Sequence, residues 1–534
     1  MKSRRLAGTL ALGLTTALYC LELGQAPVYL GGDEAHFAVH AYSIAHTGRD
    51  LDGRAMPLLF NLADPLGDPH NVDTSRRWYQ PMLFYVLAAT LKLVPFSEAW
   101  VRSPTALIGG LLDPLLMYLV AMRLFGNRMY ATVAAVTLVL SPPHFILSRQ
   151  ALDYVCSIPF VLGWLWCLVV SIQTGSVVLS CAAGLLLGLG AYSYIAGWVL
   201  MPLFLMLTWI AQHRSEGRFG RASAAAGFGF LLPLVPLLLW LWTHPEVLRA
   251  TIGRYQTPDP LHVPPGLSLR KFFNLGVIAN RVSVYWDYYN PSFLFATGGV
   301  NTTASTGRAG VFLLPAAVFL PVGVYHALKH RAFGMVGILL VAAFAVAPLP
   351  ATLAGERFMI QRELLVVPFG ALVAAMGFAH LWRRTQFPGR IVAATLLAAM
   401  PLQFAYVYRD YLTHYQHRSV FYYDPAAFRQ VAEYLIAAES SGRAPDVYLS
   451  SELDDVGAKW RFYATKARRE DLLQRTRYFA EDGPEARAIA PGSLAVLYAE
   501  SGMVARLVQS GAWSVARKVF DIDGRAASVI LIKT

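Results

Sequence analysis

Two neighbouring carboxylates directly after the first apolar segment are the residues best suited to chemistry. Asp33 and Glu34 lie in the middle of the stretch 31–36. A carboxylate held at a membrane surface can take a proton from a hydroxyl group and so act as a general base. The structural alternative is that the two acids open a helix, because a helix N-terminus favours negative charge. His36 and His40 share a helical face with Asp33, a spacing compatible with a metal site, although interfacial histidines explain the pattern more simply.

Further polar side chains follow in the same N-terminal loop. Asp50 and Asp52 belong to a turn that contains Gly53, where the two acids either contact a substrate or are simply solvated. Arg76 and Arg77 precede two aromatic residues. Arginines beside aromatic residues at the level of the lipid headgroups either bind phosphate or anchor the segment that follows.

Two later loops place charged or aromatic residues at the edges of apolar segments. Arg149 and Asp153 are four residues apart, so they either form a local ion pair or contact a headgroup and an acceptor respectively. Tyr192 and Tyr194 belong to a short hairpin between two apolar segments. Tyrosines at such a position either form part of the aromatic belt or contact a substrate.

A pair of arginines near residue 360 completes the set of candidate charges. Arg357 lies in a loop, and Arg362 lies at the start of an apolar segment. A guanidinium group is costly at the edge of a membrane span and requires an anionic partner. That partner is either a nearby acid, Glu356 or Glu363, or the phosphate of a bound lipid.

The elements that must position these residues are predominantly membrane helices. The chain has 534 residues, of which 56% are hydrophobic and 15% charged, whereas a soluble domain carries about a quarter charged residues. This composition excludes disordered, fibrous and small disulfide-stapled proteins. The charge is concentrated at the end of the chain, since residues 411–534 contain 16 Lys and Arg and 15 Asp and Glu. The basic surplus in the rest of the chain indicates membrane topology and not nucleic-acid binding.

Apolar segments recur along the first 410 residues, and a helix needs roughly 20 such residues to span the bilayer. With eleven spans, every Lys and Arg cluster falls on one side, which places the N-terminus in the cytoplasm. Segment 80–96 would break this pattern, so we expect it to form an interfacial or re-entrant helix on the outer face. The predicted spans are 6–24, 103–124, 129–147, 155–172, 177–192, 198–212, 222–242, 310–328, 335–353, 363–382 and 391–408.

Residues 412–534 are predicted to form a soluble α/β domain on the outer face, which in a bacterium is the periplasmic side. A helix is expected from Asp424 to about residue 438, and strands are expected over 446–450, 494–498 and 527–532. The sequence of this domain has no evident phosphate-binding glycine loop or metal cluster, so acceptor binding or a lid is favoured over a second catalytic site. The four cysteines lie in or beside apolar segments, where buried thiols are expected.

A series of short motifs along residues 1–410 occurs in an order shared with a known class of enzymes. The motifs are Asp33-Glu34, Gly48-Arg49-Asp50 with Gly53, Gln80-Pro81, Arg102, Ser141-Pro142 with Ser148-Arg149, Tyr192-Ser193-Tyr194 with Pro202, and Arg362 with Pro368. Their order, spacing and sidedness resemble the GT-C class of membrane glycosyltransferases. They resemble more closely the bacterial family 39 enzymes related to protein mannosyltransferases and aminoarabinose transferases. The resemblance implies a polytopic α-helical catalytic domain over residues 1–411.

The resemblance also implies a reaction at the outer face of a bacterial inner membrane. A sugar would pass from a polyprenyl-phosphate carrier to an acceptor hydroxyl on a glycolipid, a polysaccharide or a protein. Asp33 then occupies the catalytic position of the family, with Glu34 beside it. Direct displacement with one base predicts inversion at the anomeric carbon, whereas a covalent route needs a second carboxylate, for which Asp153 is the candidate.

Two departures from the family pattern concern the carrier phosphate. Relatives often have lysine where this chain has Gln80, and some have Gly-Asp where it has Gly298-Gly299-Val300. The leaving phosphate gains negative charge, so arginines or a divalent cation, Mg²⁺ or Mn²⁺, must stabilise it. The candidate phosphate ligands are Arg76, Arg77, Arg149, Arg357 and Arg362, and the candidate substrate contacts are His36, Asp50, Asp52, Gln80, Tyr192 and Tyr194.

Two alternatives to an enzyme are a glycolipid transporter or flippase and a non-catalytic assembly protein with the same fold. Transporters usually place charged residues near the middle of the membrane and contain internal repeats. In this sequence the charges lie at the outer edge, and the two halves show no repeat. Loss of sugar transfer in a normally folded Asp33→Asn variant would reject the non-catalytic alternative.

Overall fold

The membrane part of the protein is built from helices. The computed structural model describes residues 2–62, 78–217, 219–248, 251, 275–329, 333–384, 387–440, 446–481 and 489–534. The helices are α1 (Lys2–Cys20), α2 (Gly32–Thr47), α3 (Met82–Leu91), α4 (Glu98–Leu107), α5 (Asp113–Phe125), α6 (Arg128–Val139), α7 (Pro142–Ser148), α8 (Ile158–Thr174), α9 (Val177–Gly190), α10 (Gly197–Glu216), α11 (Arg221–Thr243), α12 (Leu275–Asp287), α13 (Ala316–Lys329), α14 (Gly334–Val346), α15 (Leu349–Ala354), α16 (Val366–Arg384) and α17 (Phe387–Leu412).

Within the described residues, six helical segments are long and apolar enough to cross a membrane. The pair α6 and α7, which is bent by 61°, adds a seventh if it is one span. Every predicted span coincides with a helix or with this bent pair. The count of eleven stays a prediction, because α9 and α13 have only 14 residues each and fall short of the bilayer thickness unless it is locally thinned. The protein is a multi-pass membrane protein.

The interfacial helix expected over 80–96 is α3. It has ten residues, which corresponds to about 15 Å of helix and is too short to cross the roughly 30 Å hydrocarbon core. A two-stranded ribbon of β1 (Phe60–Asn61) and β2 (Trp78–Tyr79) lies at its N-terminal end. This ribbon brings Tyr79 against Phe37 of α2, with the two ring centroids 5.4 Å apart.

Helix α2 carries the paired acids, and its ends are set by glycines. Gly31 is extended before the first turn, which contains Asp33 and Glu34. Gly48 follows the last turn with φ 71°, and its N–H donates to the carbonyl of Ile44. Only glycine adopts this left-handed conformation without steric cost, so the helix ends there. The two acids therefore do lie in the first turn of a helix, as the structural alternative supposes.

The C-terminal part contains a mixed five-stranded sheet with the order β4-β3-β5-β7-β6. Strand β3 is parallel to β4 and β5, whereas β7 is antiparallel to β5 and β6. The predicted α/β class is confirmed. The strands are β3 (Val447–Ser450), β4 (Thr476–Phe479), β5 (Leu494–Tyr498), β6 (Trp513–Phe520) and β7 (Ala526–Lys533), and the helices are α18 (His414–Tyr423), α19 (Phe428–Ser440), α20 (Val456–Lys466), α21 (Asp471–Gln474) and α22 (Gly502–Gln509).

The three predicted strands correspond to β3, β5 and β7, and the sequence analysis missed β4 and β6. Both missed strands lie at the edges of the sheet. Most side chains of β6 are exposed, and β4 has only four residues. Such strands lack the apolar run that reveals a buried strand.

The C-terminal part packs directly on loops of the membrane part. Lys466 of α20 donates to Glu98 at the start of α4, at 2.7 and 2.9 Å. Tyr29, in the loop before α2, donates to Asp521 at 3.0 Å. One buried apolar cluster extends from the membrane helices into the sheet. The boundary at residue 411 stays a prediction, because α17 continues through it to Leu412.

Candidate active site

Asp33 lies in the first turn of α2 and is partly exposed. The hydroxyl of Tyr79 donates to its carboxylate, at 3.1 Å from each oxygen. Tyr79 is the last residue of β2, so the ribbon and α2 together hold the carboxylate in place. The Tyr79 hydroxyl contacts both oxygens and therefore restrains the orientation of the half-buried carboxylate.

Three further side chains lie near Asp33. Asp153 begins the turn before α8 and is buried, and it lies within electrostatic range of both Asp33 and the Arg362 guanidinium. Tyr154 is within the same range of these three groups. The Oδ2 atom of Asp153 is buried without a hydrogen bond among the described residues. The fold therefore brings together two predicted catalytic acids and one predicted phosphate ligand from distant parts of the chain.

Glu34 points away from this cluster into the protein. Its carboxylate pairs with Arg102, which donates from Nε and Nη2 at 2.9 Å to the two oxygens. The same carboxylate accepts the backbone N–H groups of Gly31 at 3.0 Å and Ala151 at 2.8 Å. All of its strong acceptor positions are used. This geometry is at odds with a catalytic role for Glu34 and makes it a residue that fixes the start of α2.

Arg149 is also turned into the protein. It is fully buried, and its two amino groups donate to the backbone carbonyls of Tyr19 and Ala26 at 2.9 Å. The carrier phosphate would have to displace these carbonyls to bind here. The phosphate contact of Arg149 stays a prediction, because in this conformation its amino groups are held by carbonyls at the end of α1 and in the loop that follows.

The loop between α1 and α2 is thus held by two buried arginines. Arg102 donates to the carbonyls of Leu23, Pro27 and Tyr29 at 2.7–3.0 Å, while Arg149 binds the carbonyls at the start of the same loop. Carbonyls outside regular secondary structure need partners when they are buried. The two side chains supply those partners and fix the segment that leads to Asp33.

The arginines near residue 360 differ in their partners. Arg362 is paired with Glu356 and has a side chain that is 20% exposed. Arg357 is paired with Asp287 at the end of α12 and is 45% exposed. Arg362 alone of the two lies near Asp153. Arg362 forms its ion pair with Glu356, one of the two acids that the sequence analysis names as candidate partners.

Asp50 and Asp52 are held by a neighbour that the sequence analysis did not consider. Arg54 lies 2.7 Å from Asp50 and 2.8 Å from Asp52. Asp50 also accepts the backbone N–H of Arg54 at 2.8 Å. A substrate contact by either acid would compete with these ion pairs, so both acids have a structural function in closing the turn.

The predicted substrate contacts in the hairpin divide into two groups. Tyr194 packs edge-to-face on Tyr154 with a centroid separation of 5.2 Å, which places it next to the acidic cluster. Tyr192 donates to the carbonyl of Pro233 at 2.6 Å and ties the hairpin to α11. Gln80 is buried directly after Tyr79. Arg76 and Arg77 lie outside the described residues.

His36 is on the face of α2 that meets the C-terminal part of the protein. It is 6% exposed, and its Nε2 atom lies 3.3 Å from the carboxylate of Asp455. Nothing in the sequence spacing links residues 419 positions apart. His40, one turn further along, is buried edge-to-face against the stacked rings of Phe60 and Phe84, and burial lowers its pKa to about 3. His40 is therefore neutral at pH 7.

Within the described ranges, no three His, Cys, Asp or Glu side chains converge to hold a metal ion. The metal site on Asp33, His36 and His40 is thus not supported, because His40 faces aromatic rings while His36 meets Asp455.

An open apolar groove of about 370 Å³ lies between α12 and α15. Its lining consists of Ile278, Arg281, Val282, Tyr285, Leu349 and Thr352. Arg281 donates to the carbonyl of Thr352 at 2.7 Å and so joins the two walls. Since α12 also carries the Asp287 partner of Arg357, the groove lies beside the loop that leads to Arg362.

Three contributors to the site were missed in the sequence. Tyr79 was noted only as an aromatic neighbour of arginine, Arg102 only as a motif residue, and Asp455 not at all. Tyr79 and Arg102 lie close in sequence to residues of the predicted site. This proximity is a signal that could have identified both residues from the sequence. Asp455 lies in a separate part of the chain, and the sequence carried no signal for it.

Residues 79–240 match the family model described as dolichyl-phosphate-mannose-protein mannosyltransferase. This segment extends from the Tyr79 that contacts Asp33, through Asp153, to the end of α11. No curated protein sequence matches the chain significantly. The match covers less than a third of the chain, and it confirms the predicted resemblance for this domain.

Solved structures of ArnT from Cupriavidus metallidurans resemble the fold over nearly the whole chain. The apo structure aligns with a TM-score of 0.60 at 14% identity and covers 99% of this chain and 98% of ArnT. The structure of ArnT bound to undecaprenyl phosphate aligns with a TM-score of 0.57 at 14% identity and covers 98% and 97%. At this identity the likeness concerns the fold, and the predicted GT-C architecture is confirmed.

Proposed function

We propose that this chain, which has a GT-C fold and a segment matching the protein mannosyltransferase family model, is an integral-membrane glycosyltransferase. It transfers a sugar from a polyprenyl-phosphate carrier to an acceptor hydroxyl on the outer face of a bacterial inner membrane. The observation that carries this proposal is the buried Asp153 carboxylate with Asp33 and Arg362 both within electrostatic range of it. An acid that accepts a proton and a cation that receives a leaving anion are the two groups that such a transfer requires.

Asp33 is the proposed base. It takes the proton of the acceptor hydroxyl, whose oxygen then attacks the anomeric carbon while the bond to the carrier phosphate breaks. The hydroxyl of Tyr79 donates to both oxygens of Asp33 and holds the carboxylate in one orientation. Pre-orientation of a reacting group lowers the entropic part of the barrier. A single displacement of this kind inverts the anomeric carbon.

Arg362 is the proposed ligand of the carrier phosphate. Its guanidinium is paired with Glu356, and both side chains are partly exposed, so an entering phosphate can replace the carboxylate without leaving a buried charge unpaired. A charge-assisted hydrogen bond to phosphate strengthens as the leaving group gains charge. Asp153, close to both groups, is suited to orient the sugar or the acceptor between them.

The groove between α12 and α15 is the proposed site for part of the prenyl chain. It is open, apolar and adjacent to the Arg362 loop. A lipid carrier must reach the site from within the bilayer, so an apolar lateral groove at the level of the phosphate ligand satisfies its geometry. The glycolipid, polysaccharide or protein nature of the acceptor is left to experiment.

Mass spectrometry of cell-envelope lipids and glycans tests this proposal. We expect a strain lacking the protein to accumulate a polyprenyl-phosphate-linked sugar and to lose one glycosylated product. Wild-type protein and the surface control Asp471→Asn should restore the product, because Asp471 is 57% exposed on the C-terminal part. Asp33→Asn should not restore it. Unchanged carrier and glycan profiles in the deletion strain, or full restoration by Asp33→Asn, would contradict the proposal.

A further inference from the structure

We propose that Asp455, in the C-terminal part of the chain, is a positioning residue for the Asp33 base. This inference rests on the proposed function and assigns a role in it to the soluble domain. Asp455 precedes α20 and reaches across to the first turns of α2. It acts there through His36 and Gly32, which flank Asp33 in the helix.

The backbone at Asp455 is in a conformation that costs free energy. Its φ angle is +46° and its ψ angle is +34°, the left-handed region. This region is less favourable for residues with a side chain than for glycine. Backbone strain of this kind persists where the surrounding structure holds it, and it is concentrated at functional sites.

The Asp455 carboxylate fills the space against the start of α2. Its Oδ1 atom lies 3.3 Å from Nε2 of His36. A Cβ atom placed on Gly32 would lie 1.6 Å from Oδ2 of Asp455, so any side chain at position 32 would displace the Asp455 carboxylate from its present position. The side chain of Asp455 therefore contacts the residue before Asp33 and the residue three positions after it, and it fixes the rotation of the turn that aims the base.

Other contacts hold the two parts of the protein together without Asp455. Lys466 and Glu98 form an ion pair at 2.7 Å, and the rings of Phe96 and Phe462 pack with centroids 4.7 Å apart. Tyr29 donates to Asp521 at 3.0 Å. Loss of the Asp455 carboxylate should leave the C-terminal part docked, so its effect on the reaction can be measured separately from its effect on folding.

The kinetic expectation follows from this geometry. Asp455→Gly removes the contacts with His36 and Gly32 and also relieves the backbone strain. We expect kcat to fall about tenfold or more, since a small misplacement of a catalytic group has effects of this size. The KM for the lipid carrier should stay within twofold, because Arg362 is on a different element. Asp455→Asn keeps an oxygen acceptor and tolerates the left-handed backbone, so it should retain more activity than Asp455→Gly.

The experiment measures initial rates and thermal unfolding of full-length protein in proteoliposomes that contain polyprenyl-phosphate-linked sugar from the accumulating strain. The matched control is Asp454→Asn, because Asp454 is adjacent in sequence but is 55% exposed and is directed to Lys459. A lower kcat with unchanged melting temperature for Asp455→Gly, and a normal rate for Asp454→Asn, would support the inference. A wild-type kcat for Asp455→Gly would overturn it, as would a tenfold rise in KM without a change in kcat.

A double variant distinguishes the steric effect of a methyl group at position 32 from the loss of the Asp455 carboxylate. Gly32→Ala should abolish transfer, because the methyl group collides with the Asp455 carboxylate. Gly32→Ala combined with Asp455→Gly should restore the melting temperature while transfer stays as low as in Asp455→Gly. Full recovery of transfer in the double variant would show that the carboxylate is dispensable. Asp33→Asn in the same assay tests the proposed function itself. Transfer by that variant would show that Asp33 is not the base, whereas the Asp455 variants test only how Asp33 is positioned.

Discussion

Replacing Glu34 by Gln distinguishes a structural from a chemical role for the second of the paired acids. Glu34 and Arg102 have side chains that are 1% and 0% exposed and are joined by two hydrogen bonds of 2.9 Å. Arg102 uses its remaining amino hydrogens on carbonyls of the loop before α2. The pair therefore lies at the centre of the contacts that fix the start of α2.

The size of the expected loss in unfolding free energy follows from the burial of the Glu34–Arg102 ion pair. Removing one member of a buried ion pair leaves the other charge without compensation and costs about 3–5 kcal/mol. Gln keeps one acceptor oxygen, but its amide nitrogen would face a guanidinium donor. We therefore expect Glu34→Gln to lower the free energy of unfolding by about 3 kcal/mol, near the lower end of that range. The combined variant Glu34→Leu with Arg102→Met should be less destabilised than Glu34→Leu alone, because no buried charge is left behind.

Chemical unfolding in mixed micelles measures these differences, and transfer assays on the folded fraction accompany it. We expect the specific activity of the folded Glu34→Gln fraction to stay within a few fold of wild type. An Asp33→Asn protein should show the opposite pattern, with unchanged stability and no transfer. Normal stability with abolished transfer in Glu34→Gln would refute the structural role and return Glu34 to the reaction.

Three further predictions concern single residues. Arg362→Ala should raise the apparent KM for the carrier about tenfold or more, since a charge-assisted contact contributes roughly 1.5–3 kcal/mol. Glu356→Gln should lower that KM, because it removes the competing anion. Equal KM values in the wild type and both variants would exclude Arg362 from the phosphate site. Arg149→Met should lower the melting temperature with little change in carrier KM, and the reverse pattern would make Arg149 a phosphate ligand. His40, with a pKa lowered to about 3 by burial and then by His36, stays neutral while the unfolded chain gains a proton below about pH 6.5. Unfolding free energy should therefore fall by about 2 kcal/mol between pH 7 and pH 5, a loss that a His40→Asn variant should lack and that chemical unfolding at the two pH values measures.

The membrane helices were predictable because their signal is local. Each span is an apolar run. The segment of α3 was not counted as a span, because counting it would have placed the later basic clusters on the opposite side of the membrane from the N-terminus. Asp33 could be selected as a candidate for the same reason, since it follows the first span in the sequence. Edge strands such as β6 were missed because their exposed side chains lack an apolar pattern.

The partners of buried charges were not predictable. Whether Arg149 meets a phosphate or a carbonyl depends on where the end of α1 lies, and sequence spacing carries no information on that position. The pairing of Asp50 and Asp52 with Arg54 was overlooked although it is local. The contact of Asp455 with His36 joins two parts of the chain through tertiary packing alone, so only the folded structure reveals it.

The rate of sugar transfer by purified Asp33→Asn protein, measured together with its affinity for the lipid carrier, tests the central claim most directly. The account predicts wild-type carrier affinity, because Arg362 and the groove are intact, and a rate reduced by at least about a hundredfold, since positioned proton transfer contributes about 10²–10⁴-fold and the neutral amide can accept no proton. Asp33→Asn protein that binds the carrier normally and transfers sugar at a near-normal rate would contradict it.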